Sequence, residues 1–237
     1  MSQDPRTLDE AFLSMIAHEL RTPLTTIKAY LQLAQRRIGA PAGEVNLQEV
    51  AAMLAKADRQ ASHMARLVND LLDVTRMHTG KFSLDVAPCA LDDLVQEAVS
   101  ELSQLFPRHA IHLRPCPWPQ TVLVDAERVK QVVTNYLTNA IKYTPADAPI
   151  QVGVERGERE ARVSVQDAGP GLSRRDQERI WDRFYQVNAG QGLQRGSHEG
   201  LGLGLYICRC IIEAHQGQVG VESVPGQGST FWFTLPL

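Results

Sequence analysis

Along the first third of the chain, apolar residues return every three or four positions. Leu13, Ala17, Leu20, Leu24, Ile27, Leu31 and Ala34 form one heptad stripe; Leu47, Val50, Leu54, Ala57, Ala61, Met64, Val68 and Leu71 form a second. The intervening IGAPAGEVN is rich in glycine, proline and polar residues and reads as a turn. Two such helices predict an antiparallel hairpin. One hairpin encloses its own stripe poorly, so the stripe calls for cover. The economical cover is a second copy, as a homodimeric four-helix bundle, with packing on the rest of the chain as the alternative.

The period changes at RMHTGKFSLDV, which places a boundary near residues 79–82 and divides the chain into 1–80 and 81–237. Beyond it, strand-like FSLDVA, TVLVDA, IQVGVERG, EARVSVQDAG, QVGVESV and STFWFTLPL alternate with helix-like segments near 91–105, 126–142 and 203–215. The pairs IQVGVER/ARVSVQD and GQVGVES/STFWFTL read as hairpins. The second part is therefore expected to be an α/β sandwich with a mixed sheet and helices on one face. The polar, glycine-rich QVNAGQGLQRGSHEG, residues 186–200, is long enough to be a lid.

Composition narrows the function. A 43% hydrophobic content supports packed cores, and a formal charge of −3 over 237 residues gives nucleic acid no basis for binding. Cys89, Cys116, Cys208 and Cys210 show neither CxxC pairs nor a zinc spacing, and read as reduced thiols of a cytoplasmic protein. No stretch approaches the ~18 apolar residues of a membrane span, and MSQDPRTLDE is too polar for a signal peptide, so no direct membrane contact is expected from this chain.

Residues 17–24, AHELRTPL, put a proline inside the first helix. Pro23 cannot donate to the carbonyl of Glu19, and such a residue costs ~3 kcal/mol in mid-helix. His18 follows stripe position Ala17 by one residue, so it projects about 100° away from the stripe. Near its reference pKa of about 6.5, a neutral imidazole offers a nucleophilic nitrogen, with Glu19 beside it to hold the other ring proton. A lone surface histidine is more often only solvated, and HExxH zinc binding is excluded because no second histidine follows.

In the second part, Asn135, Asn139 and Lys142 stand at i, i+4 and i+7 of NYLTNAIKYTP, on one helical face. Two amide oxygens and an ammonium suit magnesium with polyphosphate, although a plain solvent-facing stripe has the same spacing. QDAGPGLS ends a strand at Asp167, whose carboxylate can accept from an exocyclic amine, with Gly169 and Gly171 permitting close approach. Gly200, Gly202 and Gly204 lead into a helix whose N-terminal N–H groups suit phosphate. No GxxxxGK[ST] is present.

FLSMIAHELRTPL, NYLTNAIKYTP, DAGPGLS, RIWDRFYQV, GLGLGL and GQGST stand in the order of the six signature boxes of sensor histidine kinases, and from about residue 8 to its end the chain resembles that family. The resemblance implies a dimerisation and phosphoacceptor hairpin followed by a Bergerat-type ATP-binding domain. It implies His18 as phosphoacceptor, Glu19 as its adjacent acid and Thr22 as the residue placing a water for dephosphorylation. Asn139 would be the magnesium ligand, supported by Asn135, and Lys142 a phosphate contact. Tyr143 would wall the nucleotide and Asp167 read adenine above the Gly169–Gly171 turn. Phe184 would anchor the lid, and Gly200, Gly202 and Gly204, with Leu203 among them, would cradle phosphate. Thr230 of GQGST is counted with the nucleotide contacts. Ala168, where asparagine is frequent, and Leu201 depart from the pattern.

The implied activity is ATP- and Mg2+-dependent autophosphorylation of the histidine, transfer to an aspartate on the receiver domain of a separate response regulator, and dephosphorylation of that regulator. A sensor domain normally precedes such a hairpin, and these 237 residues hold none. A Bergerat-type ATPase that hydrolyses ATP to water, and a dimeric scaffold or phosphatase, are the rival readings.

Overall fold

The computed structural model describes residues 5–39, 46–114, 116, 121–187 and 200–237, with side chains from residue 16 onward. The turn expected over 39–46 and the lid expected over 186–200 lie largely outside the described residues. The chain divides into two compact units, one up to Thr75 and one from Arg76.

The first unit is built on α1 (Pro5–Ile38) and α2 (Leu47–His78). Asn46 starts α2 by accepting from the N–H groups of Gln48 (3.0 Å) and Glu49 (3.3 Å). Arg37 pairs with Glu49 at 3.4 Å, and Lys56 lies 5.5 Å from the Tyr30 ring centroid, so the helices run antiparallel. The apolar residues divide into two rows. Of the expected stripes Ala34, Val50 and Ala57 are buried, and in the second half of α2 the buried row runs through Leu67 and Val74 rather than through the expected Ala61 and Val68, which are exposed. Leu24, Leu31 and Ile38 on α1, with Leu47, Leu54 and Val68 on α2, are exposed and recur at multiples of seven. The hairpin thus buries one apolar row and presents the other outward.

α1 continues through Pro23, which is buried. The hydroxyls of Thr22, Thr25 and Thr26 donate back to the carbonyls of His18 (3.2 Å), Arg21 (2.8 Å) and Thr22 (3.0 Å). Such back-bonding bends helices, so the threonines add to the bend that the proline favours.

The second unit comprises β1 (Ala87–Ala90), α3 (Leu91–Leu105), β2 (Ile111–Leu113), β3 (Thr121–Val124), α4 (Ala126–Tyr143), β4 (Ile150–Arg156), β5 (Glu160–Asp167), α5 (Arg174–Arg179), α6 (Gly204–Ala214), β6 (Val219–Ser223) and β7 (Ser229–Pro236). The main sheet has the order β2-β4-β5-β7-β6; β2 runs parallel to β4 and the other pairs are antiparallel. This is the expected mixed sheet, with both expected hairpins. β1 and β3 form a separate two-stranded ribbon. FSLDVA, expected as a strand, is irregular up to Val86, and pairing starts at Ala87.

Strand alternation turns Ile150, Val152, Val154, Val163, Val165, Phe233 and Leu235 to one buried face. Against it pack Leu91, Val95 and Val99 of α3, Val129, Val133 and Leu137 of α4, and Ile207 and Ile211 of α6. Tyr136 seats its ring between α4 and the sheet, 5.7 Å from Phe231 and 6.0 Å from Phe233. Asp125 caps α4 by accepting from the Arg128 N–H at 3.2 Å. His215 at the end of α6 accepts the Asp125 N–H on Nε2 (2.9 Å) while Nδ1 meets the Ile211 carbonyl (2.8 Å), a neutral tautomer that ties α6 to the start of α4.

Candidate functional site

On α1, the His18 side chain is 76% exposed and its Nδ1 lies 3.7 Å from the Glu19 carboxylate. That separation is an ion-pair distance rather than a hydrogen bond. It turns Nδ1 towards the acid and leaves Nε2 on the far side of the ring. Thr22 is exposed, with its hydroxyl bonded to the His18 carbonyl.

In the second unit, α4 presents the expected face. Asn139 Nδ2 donates to Asn135 Oδ1 at 3.1 Å, one turn apart, and Lys142 follows, exposed, with Nζ 5.2 Å from the Tyr143 ring centroid. The start of α6 lies against this face. A Cβ on Gly204 would run into the Asn135 amide, so a side chain there would displace that amide from its present place.

Asp167 ends β5 with its side chain inside the fold, only 8% exposed. Its Oδ1 accepts from the N–H groups of Gly169 (2.7 Å) and Ser229 (3.3 Å). Burial pushes its carboxyl above the ordinary range, and the two N–H groups pull it back in part. Asp167 is thus held in place through one oxygen. The Gly169 position admits no Cβ, which would stand 2.8 Å from Asp167 Oδ1 and 3.1 Å from the Tyr143 carbonyl. Gly171 has φ +68° and packs directly on the Val224 carbonyl, so the turn after β5 and the turn between β6 and β7 interlock. Thr144, next to Tyr143, buries its hydroxyl oxygen without a hydrogen-bond partner. A ligand or ordered water would satisfy it.

The described residues on either side of 188–199 meet. Phe184, at φ +64°, donates its N–H to the Gly202 carbonyl (3.0 Å), and Gln186 Nε2 donates to the Gly200 carbonyl (2.6 Å). Gly202 has φ +66°, and a Cβ there would stand 2.8 Å from the Tyr185 carbonyl.

Two further expected residues are Leu203 and Thr230. Leu203 is buried at the start of α6, where its side chain is core filler. Thr230 pairs with Gln166 and shares a shallow depression with Gln166, Ser164 and Glu222 on the opposite face of the sheet. Strand alternation gives the Asp167 face to its neighbour Ser229. Ser229, Ser223 and Thr144 escaped the sequence reading. Counting parity along STFWFTL from its buried aromatic residues would have found Ser229.

Comparison with known proteins places these features in context. Residues 9–80 match the His Kinase A (phospho-acceptor) domain, and residues 124–237 match the histidine kinase-, DNA gyrase B- and HSP90-like ATPase domain. The chain is 35% identical, over 96% of its length, to the adaptive-response sensory kinase SasA of Microcystis aeruginosa, and 36% identical to that of Synechocystis. It spans 59% of the length of each of these relatives. Among solved structures, full-length ShkA in complex with AMPPNP superposes with a TM-score of 0.64 at 28% identity, covering 95% of this chain and 45% of that one. The catalytic domain of histidine kinase ThkA matches 64% of the chain with a TM-score of 0.53, also at 28% identity, covering 95% of that domain.

Proposed function

The chain belongs to the sensor histidine kinase family, as a catalytic core, and from that premise we propose that it transfers the γ-phosphoryl group of ATP to His18 and then to an aspartate on the receiver domain of a separate response regulator. The observation that carries the proposal is the exposed His18 imidazole, with Glu19 at Nδ1 and Nε2 turned away from it. With Nδ1–H directed at the acid, Nε2 keeps its lone pair and attacks phosphorus as the bond to ADP breaks. Phosphoryl transfer rests mainly on positioning and on neutralising oxygen charge.

In this reading Asp167 accepts the adenine amine, and Asn135, Asn139 and Lys142 face the phosphates. Tyr143 closes the side of the site next to Gly169. Among the described residues no group of three His, Cys, Asp or Glu side chains forms a metal site. A magnesium ion shared between phosphate oxygens and the Asn139 amide oxygen fits that donor set, since magnesium keeps waters and needs few protein ligands. It would neutralise charge on the transferring group. The AMPPNP bound by ShkA supports an adenine nucleotide as the ligand.

The outward apolar row of the hairpin supports a homodimer. No described helix is long and apolar enough to cross a membrane, and we assign the reaction to the cytoplasm. We assign the hairpin and the ATP-binding domain to 1–80 and 81–237. Thr22 is the residue we assign to regulator dephosphorylation.

The test is incubation with γ-labelled ATP and magnesium. Acid-labile, base-stable label on the wild type, absent from His18→Gln and from Asn139→Ala, is the expected result. Phosphate release that does not depend on His18 would make the protein a plain ATPase instead.

A further inference from the structure

The serine pair behind Asp167 is wired in one direction. Ser223 closes β6 and pairs with Ser229, which opens β7 opposite Asp167. The Ser223 hydroxyl has three neighbours: the Leu172 N–H at 2.7 Å, the Gly228 carbonyl at 2.8 Å and the Ser229 hydroxyl at 2.9 Å. A hydroxyl has one proton and two acceptor lone pairs. The Gly228 carbonyl can only accept, so it takes the Ser223 proton. The Leu172 N–H can only donate, so it occupies one lone pair. The last position on Ser223 is therefore an acceptor, and Ser229 must donate its proton there.

That leaves Ser229 with acceptor lone pairs alone. Its backbone N–H is directed at Asp167 Oδ1, and the residue is buried on the Asp167 side of the sheet. At Ser229 the wall beside the carboxylate thus offers acceptors and no hydroxyl proton. A 6-aminopurine presents a donor to such a wall. A 6-oxopurine presents a carbonyl, lone pair against lone pair.

We propose that Ser223 is a positioning residue for base selection: by holding the Ser229 hydroxyl proton away from the nucleotide, it makes the site prefer adenine over guanine nucleotides. This rests on the nucleotide reading of the site given above. Ser223 touches no base itself. Its hydroxyl also joins the turn after β5 to the β6–β7 turn, a junction supported by Gln177, whose Nε2 donates to the carbonyls of Leu172 (3.0 Å) and Ser223 (2.9 Å). The backbone frame thus retains a second brace when the Ser223 hydroxyl is removed.

Calorimetric titration of the whole chain with MgATP and with MgGTP tests the proposal through the ratio of the two dissociation constants. In Ser223→Ala the Ser229 hydroxyl is released to donate to a 6-oxo group, and the preference for ATP should fall about tenfold, the worth of one hydrogen bond. Ser223→Thr, which keeps the hydroxyl, should hold the wild-type ratio. Ser223→Cys keeps the side chain's shape but accepts hydrogen bonds weakly. It should lower the ratio too, and it serves where the alanine variant melts early. ATP and GTP weakening in parallel, or an unchanged ratio in the alanine and cysteine variants, would overturn the role of Ser223 while leaving the nucleotide site standing. A wild-type chain that binds neither nucleotide would instead overturn the reading on which the proposal rests.

Discussion

Asp167 carries a carboxylate into a site that is 8% exposed and gives it two backbone N–H partners on one oxygen. Its pKa is raised, burial outweighing those hydrogen bonds. A folded-state pKa above the ordinary 3.8 means the folded chain binds this proton more tightly than the unfolded chain does. The resulting stabilisation is full below 3.8 and is lost as pH rises through the raised value, so at neutral pH the fold holds a charge at some expense to its stability. Asp167→Asn keeps the Oδ1 acceptor and removes the charge. The variant should melt above the wild type at pH 7 in scanning calorimetry, and the gap should close as pH falls towards 4. MgATP binding should weaken roughly 10- to 100-fold, as expected for losing a hydrogen bond to a charged acceptor. Stability given up where a ligand is held is a common trade. At this scale the sequence identified Asp167 by its place at a strand end before two glycines. It named Thr230 rather than Ser229, the neighbour that shares the Asp167 face, because adjacent strand residues differ only in which face they take. That face follows from parity, which the aromatic residues Phe231 and Phe233 of the same strand carry.

The helices were legible where an apolar stripe runs for several turns: α3, α4 and α6 fall within a residue or two of their expected spans. β2, three residues long, and α5, six residues long, were missed because neither has room for a period to show. FSLDVA alternates like a strand, yet the main sheet does not take it up, and the backbone N–H of Asp85 bonds Asp125 Oδ2 at 3.0 Å instead. In the hairpin, the proline turn was legible, but its threonine back-bonding emerged only with the helix geometry. α2 also carries a titrating group that periodicity does not show. Burial and the neighbouring Asp73 carboxylate push Asp70 up to about 6, against an opposing pull from Arg66. The sign matches Asp167: Asp70 stabilises the fold below 3.8 and loses that contribution as pH rises through about 6. Asp70→Asn should therefore stabilise the hairpin at pH 7.5 by on the order of 2 kcal/mol and leave it unchanged near pH 3.5. Thermal melts at the two pH values check this. An equal effect at both would remove the charge as its cause.

At the scale of the whole molecule, the sequence predicted two heptad stripes and favoured a second copy over the rest of the chain as their cover. The structure narrows the question by splitting the stripes. One row closes the hairpin, while Leu24, Leu31 and Ile38 with Leu47, Leu54 and Val68 face outward at heptad spacing. Scattered exposed leucines are ordinary, but two apolar rows sustained over several turns of both helices form a continuous patch of the kind that marks an interface. The residues proposed to hold the nucleotide, by contrast, lie within the unit from Arg76 onward, which has its own core of α3, α4, α6 and the sheet. Association and nucleotide binding should therefore separate. In the double variant Leu31→Glu/Leu54→Glu, four charges per dimer would enter the seam, each costing well over the ~1.5–3 kcal/mol that a buried leucine contributes. Sedimentation equilibrium should give twice the chain mass for the wild type and the single chain mass for the variant. Titration with MgATP should give the same affinity for both. Loss of nucleotide binding together with the dimer would show that the second unit depends on the hairpin for its fold. A variant that stays dimeric would move the interface away from these rows.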